Sequence, residues 1–156
     1  MLLEKKVAVI YGAGGSIGGA VARAFVREGA TAVLAGRTQA KLDKIADEIR
    51  ANGGSAQTAV VDALHEEDVD QFVDEVVEQA GHIDISFYLI GYDDVQKPLP
   101  EISVEDFLQP IMDAMRAQFL TTRAAGMDGN ELEARRLELK GISGPVPVRV
   151  LHGNQV

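Results

Sequence analysis

The sequence predicts an α/β fold, in which a doubly wound parallel sheet carries helices on both faces. Two observations support this: short β-prone segments alternate with amphipathic helical segments as far as residue 125, and the first strand–helix junction is rich in glycine. Alternation of this kind favours parallel strands joined by right-handed helical crossovers. The chain has 156 residues, 46% of them hydrophobic, which predicts one globular domain over residues 1–156.

The first unit is a strand, a glycine loop and a helix. Val7–Tyr11 is a β-prone run, Gly12–Gly18 is the loop, and Gly19–Glu28 has a helical composition. Glycines let the chain turn sharply and let a pyrophosphate approach the backbone, while a helix N-terminus offers free N–H groups. This order of elements predicts a phosphate cradle. The alternative is that the glycines only allow tight packing of strand against helix.

Two further strand–helix units follow the first. In each helix the apolar residues recur at spacings of three and four, which places them on one inward face. Asn52-Gly53-Gly54 ends the second helix, because glycine supplies a left-handed cap. The predicted strands are Thr31–Ala35 and Ala56–Val61, the helices are Gln39–Ala51 and Glu66–Ala80, and the inward residues are Leu42, Ile45, Ala46 and Ile49, then Val69, Phe72, Val73, Val76, Val77 and Ala80.

The fourth unit has a long loop between its strand and its helix. Ser103 is the predicted N-cap of that helix, with Asp106 three residues later, and Pro110 is a candidate kink. The charge balance changes near Gly126: residues 127–156 hold four acidic and four basic residues, so the net negative charge of the chain lies in residues 1–126. The predicted segments are a strand Ile83–Ile90, a loop Gly91–Glu101, a helix Ser103–Ala125, a turn Met127–Asn130, a helix Glu131–Lys140, a loop Gly141–Pro145 and a strand Val146–Leu151.

Over about residues 5–125 the sequence resembles the short-chain dehydrogenase/reductase family. The family's loop is Thr-Gly-x-x-x-Gly-x-Gly; here Tyr11 replaces the threonine and Ser16 the middle glycine. The resemblance implies a Rossmann-type sheet with strand order 3-2-1-4, with room for one extra strand from the divergent tail at 126–156. It rests on the glycine loop, Ala35-Gly36-Arg37 after strand two, Val61-Asp62-Ala63 after strand three, Gly91 after strand four and the helix ending Phe119–Ala125.

The resemblance also implies a dinucleotide-binding site. An acidic residue after strand two would hold the ribose hydroxyl of NAD, whereas the guanidinium of Arg37 suits the 2′-phosphate of NADP. We therefore expect NADP rather than NAD; the alternative for Arg37 is a solvated surface residue. Asp62 resembles the residue that contacts the adenine amino group; the alternative is a helix N-cap, and the two roles are compatible. The implied cofactor-binding residues are Gly12, Gly14, Gly15, Ser16, Ile17, Gly18, Arg37, Asp62, Ala63 and Gly91.

The catalytic residues of the family are not found in this sequence. Its chemistry needs a tyrosine followed four residues later by a lysine, but Tyr11, Tyr88 and Tyr92 are followed at that spacing by Gly15, Tyr92 and Gln96. Ser143 stands in a sequence unlike the family's serine strand, so no catalytic residue is assigned and no substrate is predicted. Two hypotheses stay open. One is an NADP-dependent oxidoreductase that is inactive alone, and the other is a non-catalytic dinucleotide-binding sensor, regulatory subunit or truncated remnant.

Composition narrows the partners and the location. The formal net charge of −9 disfavours nucleic acid, which is bound by neutralising its phosphates. Cysteine is absent, and His65, His82 and His152 lack metal-ligand spacing, so no metal site is predicted. With no apolar run of about 18 residues and no leader pattern, the expectation is a cytoplasmic protein with no membrane partner.

Two further expectations concern the end of the resemblance. Its abrupt loss near Gly126 fits a truncated or frame-shifted gene in which an unrelated tail replaces the catalytic half.

Strand four would normally be covered by a fifth strand, and an exposed edge invites pairing. We therefore expect either the tail strand or another subunit to cover it, and we expect a homodimer or higher oligomer formed through the helix Ser103–Ala125.

Overall fold

A computed structural model describes residues 1–91 and 96–126, together with the backbone of two strands at 133–137 and 146–150. Strands and helices alternate through residue 125, as the sequence predicts, and two more strands follow. The elements are β1 (Val7–Tyr11), α1 (Ser16–Arg27), β2 (Thr31–Gly36), α2 (Gln39–Ala51), β3 (Ala56–Val60), α3 (Glu66–Ala80), β4 (Ile85–Tyr88), a 3-10 turn (Leu99–Glu101), α4 (Val104–Ala125), β5 (Glu133–Leu137) and β6 (Val146–Val150).

The first four strands form one parallel sheet in the order β3-β2-β1-β4, which confirms the predicted order. β1 lies between β2 and β4, and Val9 pairs with Val33 on one side and Ser86 on the other. The strand order reverses at β1, because β2 and β3 extend to one side and β4 to the other. In open α/β sheets, ligands bind outside the carboxyl ends of the strands at such a reversal.

The core has one layer on each face of the sheet. Every residue of β1 is buried, which is typical of a central parallel strand covered by helices on both faces. Val9 and Tyr11 pack with Phe72 of α3 and Leu120 of α4, whereas Ile10 belongs to the layer of α1 and α2. The helices therefore hold the carboxyl ends of β1 and β2 at one defined edge.

The bounds of α2 and α3 and the cap of α4 match the prediction. Gly53 adopts the left-handed conformation, with φ of 80°, after α2 ends. The Ser103 hydroxyl accepts a hydrogen bond of 3.0 Å from the Asp106 amide, and α4 continues through Pro110. None of the described helices is long and apolar enough to cross a bilayer.

Four expectations about elements are corrected. β4 is shorter than predicted because its ladder runs only beside Ala8–Tyr11, after which β1 ends in the glycine loop. α1 begins three residues earlier than predicted, at Ser16. Ala80 is exposed rather than inward, since it is the last residue of α3 before Gly81 reverses the chain at φ of 82°. The predicted tail helix is wrong: Glu133–Leu137 is a strand.

The tail strand does not extend the parallel sheet. β6 pairs antiparallel with β5 in a separate two-stranded sheet, with Glu133 opposite Val150 and Leu137 opposite Val146. A ten-residue helix with a weak apolar face is marginal in water, so strand pairing satisfies this backbone better. The predicted turn at 127–130 and the loop at 141–145 lie outside the described residues.

Candidate functional site

A cavity of about 300 Å³ opens at the carboxyl edge of the sheet, where the strand order reverses. All four parallel strands contribute their ends or the residues that follow them, and α2 contributes its first turn. The cavity is therefore built by the topology rather than by one loop. Its lining is Gly12, Gly14, Gly15, Gly36, Arg37, Thr38, Lys41, Leu42, Val61, Asp62, Ala63, Leu64, Leu89, Ile90 and Gly91.

Two glycines of the loop allow close packing of the backbone. Gly12 has φ of 80°, and a Cβ placed there would lie 2.0 Å from the carbonyl oxygen of Leu89. A Cβ on Gly18 would lie 2.4 Å from the carbonyl oxygen of Gly12. Only glycine fits at such distances, so the packing alternative holds for these two positions.

Two other glycines leave open space beside the backbone. A Cβ on Gly15 would come no nearer than 3.5 Å to a neighbouring atom, and one on Gly91 would meet nothing within 4 Å. Both residues line the cavity, and Gly15 is also the N-cap of α1, with no side-chain capping bond. The first N–H groups of a helix have no partner within it and favour an anion. The residues present therefore fit a phosphate-bearing ligand.

The cavity brings together seven of the ten predicted cofactor-binding residues. Ser16 lies instead in a neighbouring groove of about 330 Å³ between α1 and α2. The Ile17 side chain points to solvent, 63% exposed, and Gly18 is buried under the loop. The helical turn that starts at Ser16 explains this, because successive residues of a helix point in different directions. The seven are Gly12, Gly14, Gly15, Arg37, Asp62, Ala63 and Gly91.

The structure excludes one of the two roles considered for Asp62. The N-cap of α3 is His65, so the N-cap interpretation of Asp62 is wrong. One carboxylate oxygen, Oδ1, accepts a 3.1 Å hydrogen bond from the Leu64 amide and closes a tight local turn. The other oxygen, Oδ2, lies 3.9 Å from Nδ1 of His65. The carboxylate is thus oriented at the cavity wall and keeps accepting capacity.

Arg37 follows β2 directly and lines the cavity with an exposed side chain. Among residues 1–91 and 96–126 its guanidinium makes no hydrogen bond or ion pair. An arginine without a carboxylate partner is available to an anion, and its planar donors suit a phosphate.

Sequence reasoning missed the part of the lining that comes from α2 and from the end of β4. Lys41 lies in the first turn of α2, and a Cβ on Gly14 would lie 3.1 Å from the Cβ of Lys41. A helix that follows a parallel strand starts at the carboxyl edge of the sheet, so its first turn was the available signal. The missed residues are Gly36, Thr38, Lys41, Leu42, Val61, Leu64, Leu89 and Ile90.

Tyr11 lies below the loop and does not replace a catalytic tyrosine. Its side chain is 1% exposed and packs edge-to-face on Phe72, with ring centroids 5.7 Å apart. Burial, and to a smaller degree the charge of Asp70, raises the pKa of the Tyr11 phenol far above its usual value. A catalytic tyrosine of this chemistry needs the opposite shift, which a nearby lysine would supply.

The described part of the chain holds no cluster of three or more histidine, cysteine or acidic side chains that could bind a metal ion. His65 and His82 have exposed side chains; His65 lies near the exposed carboxylate of Asp68, and Nε2 of His82 lies 3.0 Å from Oδ2 of the mostly buried Asp84. His152 lies outside the described residues.

This chain is similar to known proteins in both sequence and structure. The short chain dehydrogenase profile matches residues 6–129. The uncharacterised oxidoreductase YxbG of Bacillus subtilis is 35% identical over 121 residues, which are 78% of this chain and 44% of that protein. A metagenomic short-chain oxidoreductase in complex with NADP has a TM-score of 0.74 and 30% identity, over 82% of this chain and 58% of its own.

A second solved structure, NAD⁺-bound xylitol dehydrogenase, has a TM-score of 0.76 and 30% identity, over 82% of this chain and 49% of its own. The chain spans less than half the length of the Bacillus subtilis relative. The family match over residues 6–129 includes the four parallel strands and the residues that line the cavity.

Proposed function

Because the chain belongs to the short-chain dehydrogenase family, we propose that it binds a nicotinamide dinucleotide in the cavity at the carboxyl edge, and NADP(H) in preference to NAD(H). The observation that carries this is the combination, in one cavity, of two open glycines, Gly15 and Gly91, with an Arg37 that has no ion-pair partner among the described residues. Members of the family use a dinucleotide to carry hydride. The residues present supply its binding and orientation.

Each wall of the cavity has a proposed task. The amides at the start of α1, next to Gly15, donate to the pyrophosphate, which suits their free N–H groups and the positive helix end. Asp62, held by Leu64 through Oδ1, accepts from the adenine amino group through its other oxygen. Gly91 lets the backbone after β4 approach the nicotinamide half of the ligand.

The preference for NADP(H) rests on the end of β2. Gly36 stands where an acidic side chain would hold the ribose hydroxyls of NAD, and Arg37 follows it. A guanidinium and a phosphate form charge-assisted hydrogen bonds that the plain ribose of NAD cannot replace. The two solved relatives described above bind one cofactor each, so the preference is argued from Arg37 alone.

We also propose that these 156 residues do not complete hydride transfer on their own. Tyr11 is buried with a raised pKa, and neither Tyr11 nor Tyr88 is followed by a lysine four residues later. A positioned acid–base group contributes about 10²- to 10⁴-fold in rate. Binding without turnover is therefore the expected behaviour, and it would suit a sensor or a regulatory subunit.

Calorimetric titration with NADPH and NADH tests both parts. We expect NADPH to bind more tightly than NADH, and Arg37→Gln to remove most of the difference. Carbonyl-dependent oxidation of NADPH is then followed at high protein concentration. Turnover by the purified chain would contradict the non-catalytic part, and binding of neither cofactor would contradict the proposal as a whole.

We further propose that a second copy of this chain covers the outer face of α4. Seven large apolar side chains of this helix are exposed and recur at spacings of three and four, so they form one continuous stripe. A stripe of this size on one helix is typical of a self-association surface. A monodisperse monomer in light scattering would contradict the proposal. The residues are Val104, Phe107, Leu108, Ile111, Met112, Met115 and Phe119.

The cytoplasmic location, the absence of a nucleic-acid partner and the single domain over residues 1–156 stay predictions. The acidic composition, with a formal net charge of −9, supports the second of them.

A further inference from the structure

Lys41 is a second cation at the wall of the cofactor cavity. It lies four residues after Arg37, in the first turn of α2, and both side chains line the same cavity. Its stem packs against the glycine loop, since a Cβ on Gly14 would lie 3.1 Å from the Cβ of Lys41. The two cations therefore stand on the β2–α2 connection, with Lys41 next to the loop and Arg37 at the strand end.

The charges around Lys41 leave its ammonium uncommitted. The acidic side chains of α2 are engaged elsewhere: Asp43 accepts from Gln39 and Thr58, Asp47 pairs with Arg50, and Glu48 pairs with Arg23 at 3.0 Å. Within the part of the chain that the structure describes, Lys41 makes no ion pair or side-chain hydrogen bond.

Folding of α2 does not explain a lysine at this position. A cation in the first turn of a helix faces the positive end of the helix dipole, where an acidic residue would be favourable. The first turn of α2 holds no acidic residue, and Thr38, the N-cap, makes no side-chain capping bond. Lys41 therefore adds positive charge to an end of the helix that is already positive and that borders the cavity.

We propose that Lys41 and Arg37 together bind the 2′-phosphate of NADP, and that Lys41 is a specificity-determining residue for this cofactor. The inference rests on the proposed function. A phosphate monoester carries about −1.5 to −2 charges at neutral pH, which two cations match better than one. The pyrophosphate is already served by the N-terminus of α1, whereas the plain ribose of NAD offers nothing for an ammonium to pair with.

Titration of matched variants with NADPH and NADH tests this assignment. Lys41→Gln is expected to weaken NADPH binding about tenfold, as the loss of one charge-assisted bond at an exposed site implies, and NADH binding less than about twofold. Lys44→Gln is the control: Lys44 lies on the same helix and lines the neighbouring groove but not the cofactor cavity. We expect it to leave both affinities within about twofold. Lys41→Arg should restore most of the NADPH affinity.

The outcomes separate this inference from the proposed function. Equal weakening of NADPH and NADH by Lys41→Gln would place Lys41 at the pyrophosphate and overturn the assignment, as would no change in either. The comparison is repeated with adenosine 2′,5′-bisphosphate and 5′-AMP, which lack the nicotinamide. Lys41→Gln should weaken the binding of adenosine 2′,5′-bisphosphate and leave that of 5′-AMP unchanged. If the wild-type chain binds neither dinucleotide, the proposed function itself fails. Unchanged melting temperatures show that the variants are folded.

Discussion

The sheet has two sides along its strand order, one with β1, β2 and β3 and the other with β4 and the helix α4 after it. The two sides differ in how completely the chain covers them. On one side, β1 is fully buried, the four inner residues of β2 are buried, and α2 turns its apolar residues inward. On the other side, none of the four residues of β4 is fully buried, and α4 exposes seven large apolar side chains. The described residues of α2 and α3 expose none of that size.

This difference assigns cofactor binding and self-association to different sides of the sheet. The side of β1 and β2 has the more completely buried strands, and with β3 it supplies the walls proposed for the adenosine half of the cofactor. The side of β4 and α4 has apolar surface that the described chain leaves uncovered, which favours a second protein surface against it.

The largest effect is expected at the contact between the two sides, which Gly12 makes. Gly12→Ala places a methyl group 2.0 Å from the Leu89 carbonyl oxygen in a left-handed backbone conformation. We expect a loss of about 3–5 kcal/mol in the free energy of unfolding, measured by urea denaturation.

Gly15→Ala is the matched control, because its methyl group meets nothing nearer than 3.5 Å. We expect a stability change below about 0.5 kcal/mol, together with weaker binding of NADPH. Equal destabilisation by the two substitutions would refute the division of the loop into packing and binding glycines.

A smaller effect is expected at Asp84, which ties the start of β1 to the chain before β4. Its side chain is 6% exposed and accepts 2.8 Å hydrogen bonds from the Lys6 ammonium and the Val7 amide. Asp84→Asn should lower the free energy of unfolding by about 1–3 kcal/mol at pH 7. Lys6→Gln, which keeps the bond to Val7, should cost less.

The contribution of Asp84 depends on pH with a defined sign. Burial raises the pKa of the Asp84 carboxyl, but the hydrogen bonds from Lys6 and Val7, with the charges of His82 and Lys6, together outweigh it, so the pKa is lower than usual in the folded protein. Its stabilisation is therefore complete above the unfolded value of about 3.9 and is lost as the pH falls through the lower folded value. Wild type and Asp84→Asn should converge in stability only in that acidic range; a difference that vanished at neutral pH would contradict this.

The smallest effect on stability, but a clear one on assembly, is expected on the outer face of α4. Met115 lies within the apolar stripe and is 64% exposed, so Met115→Glu should change the stability of the monomer by less than about 0.5 kcal/mol. It should nevertheless convert a dimer to a monomer in light scattering, because it would bury a charge in the interface.

Gln79→Glu adds the same charge at an exposed position near the end of α3, away from the stripe. It should leave the dimer intact. A dimer that survives Met115→Glu would move the association surface away from α4.

Local patterns predicted the parts of this molecule that local forces determine. The spacing of Leu42, Ile45 and Ile49 predicts the inward face of α2, and Gly53 marks its end. The alternation of elements predicts parallel strands, and the family resemblance adds their order. Arg37 and Asp62 were predicted to lie at the cofactor from the family resemblance at the ends of strands two and three, and both line the cavity.

Features that depend on contacts between distant segments could not be predicted in this way. The contact between Gly14 and Lys41 requires the packing of α2 beside the loop, and the length of β4 depends on where β1 ends. The pairing of β5 with β6 joins segments separated by a loop, and no pattern within Glu133–Leu137 favours it over a helix.

The cavity takes Leu89, Ile90 and Gly91 from the segment after β4, although the rest of its wall belongs to the better-covered side. A ligand that fills it would therefore be held by both sides at once. Since a ligand stabilises the folded form in proportion to the logarithm of its concentration over its dissociation constant, the cellular level of the dinucleotide would govern how often the β4 edge opens. Gly12, packed against Leu89, lies where the two sides meet, so binding of the proposed dinucleotide is expected to make exposure of the β4 edge less frequent.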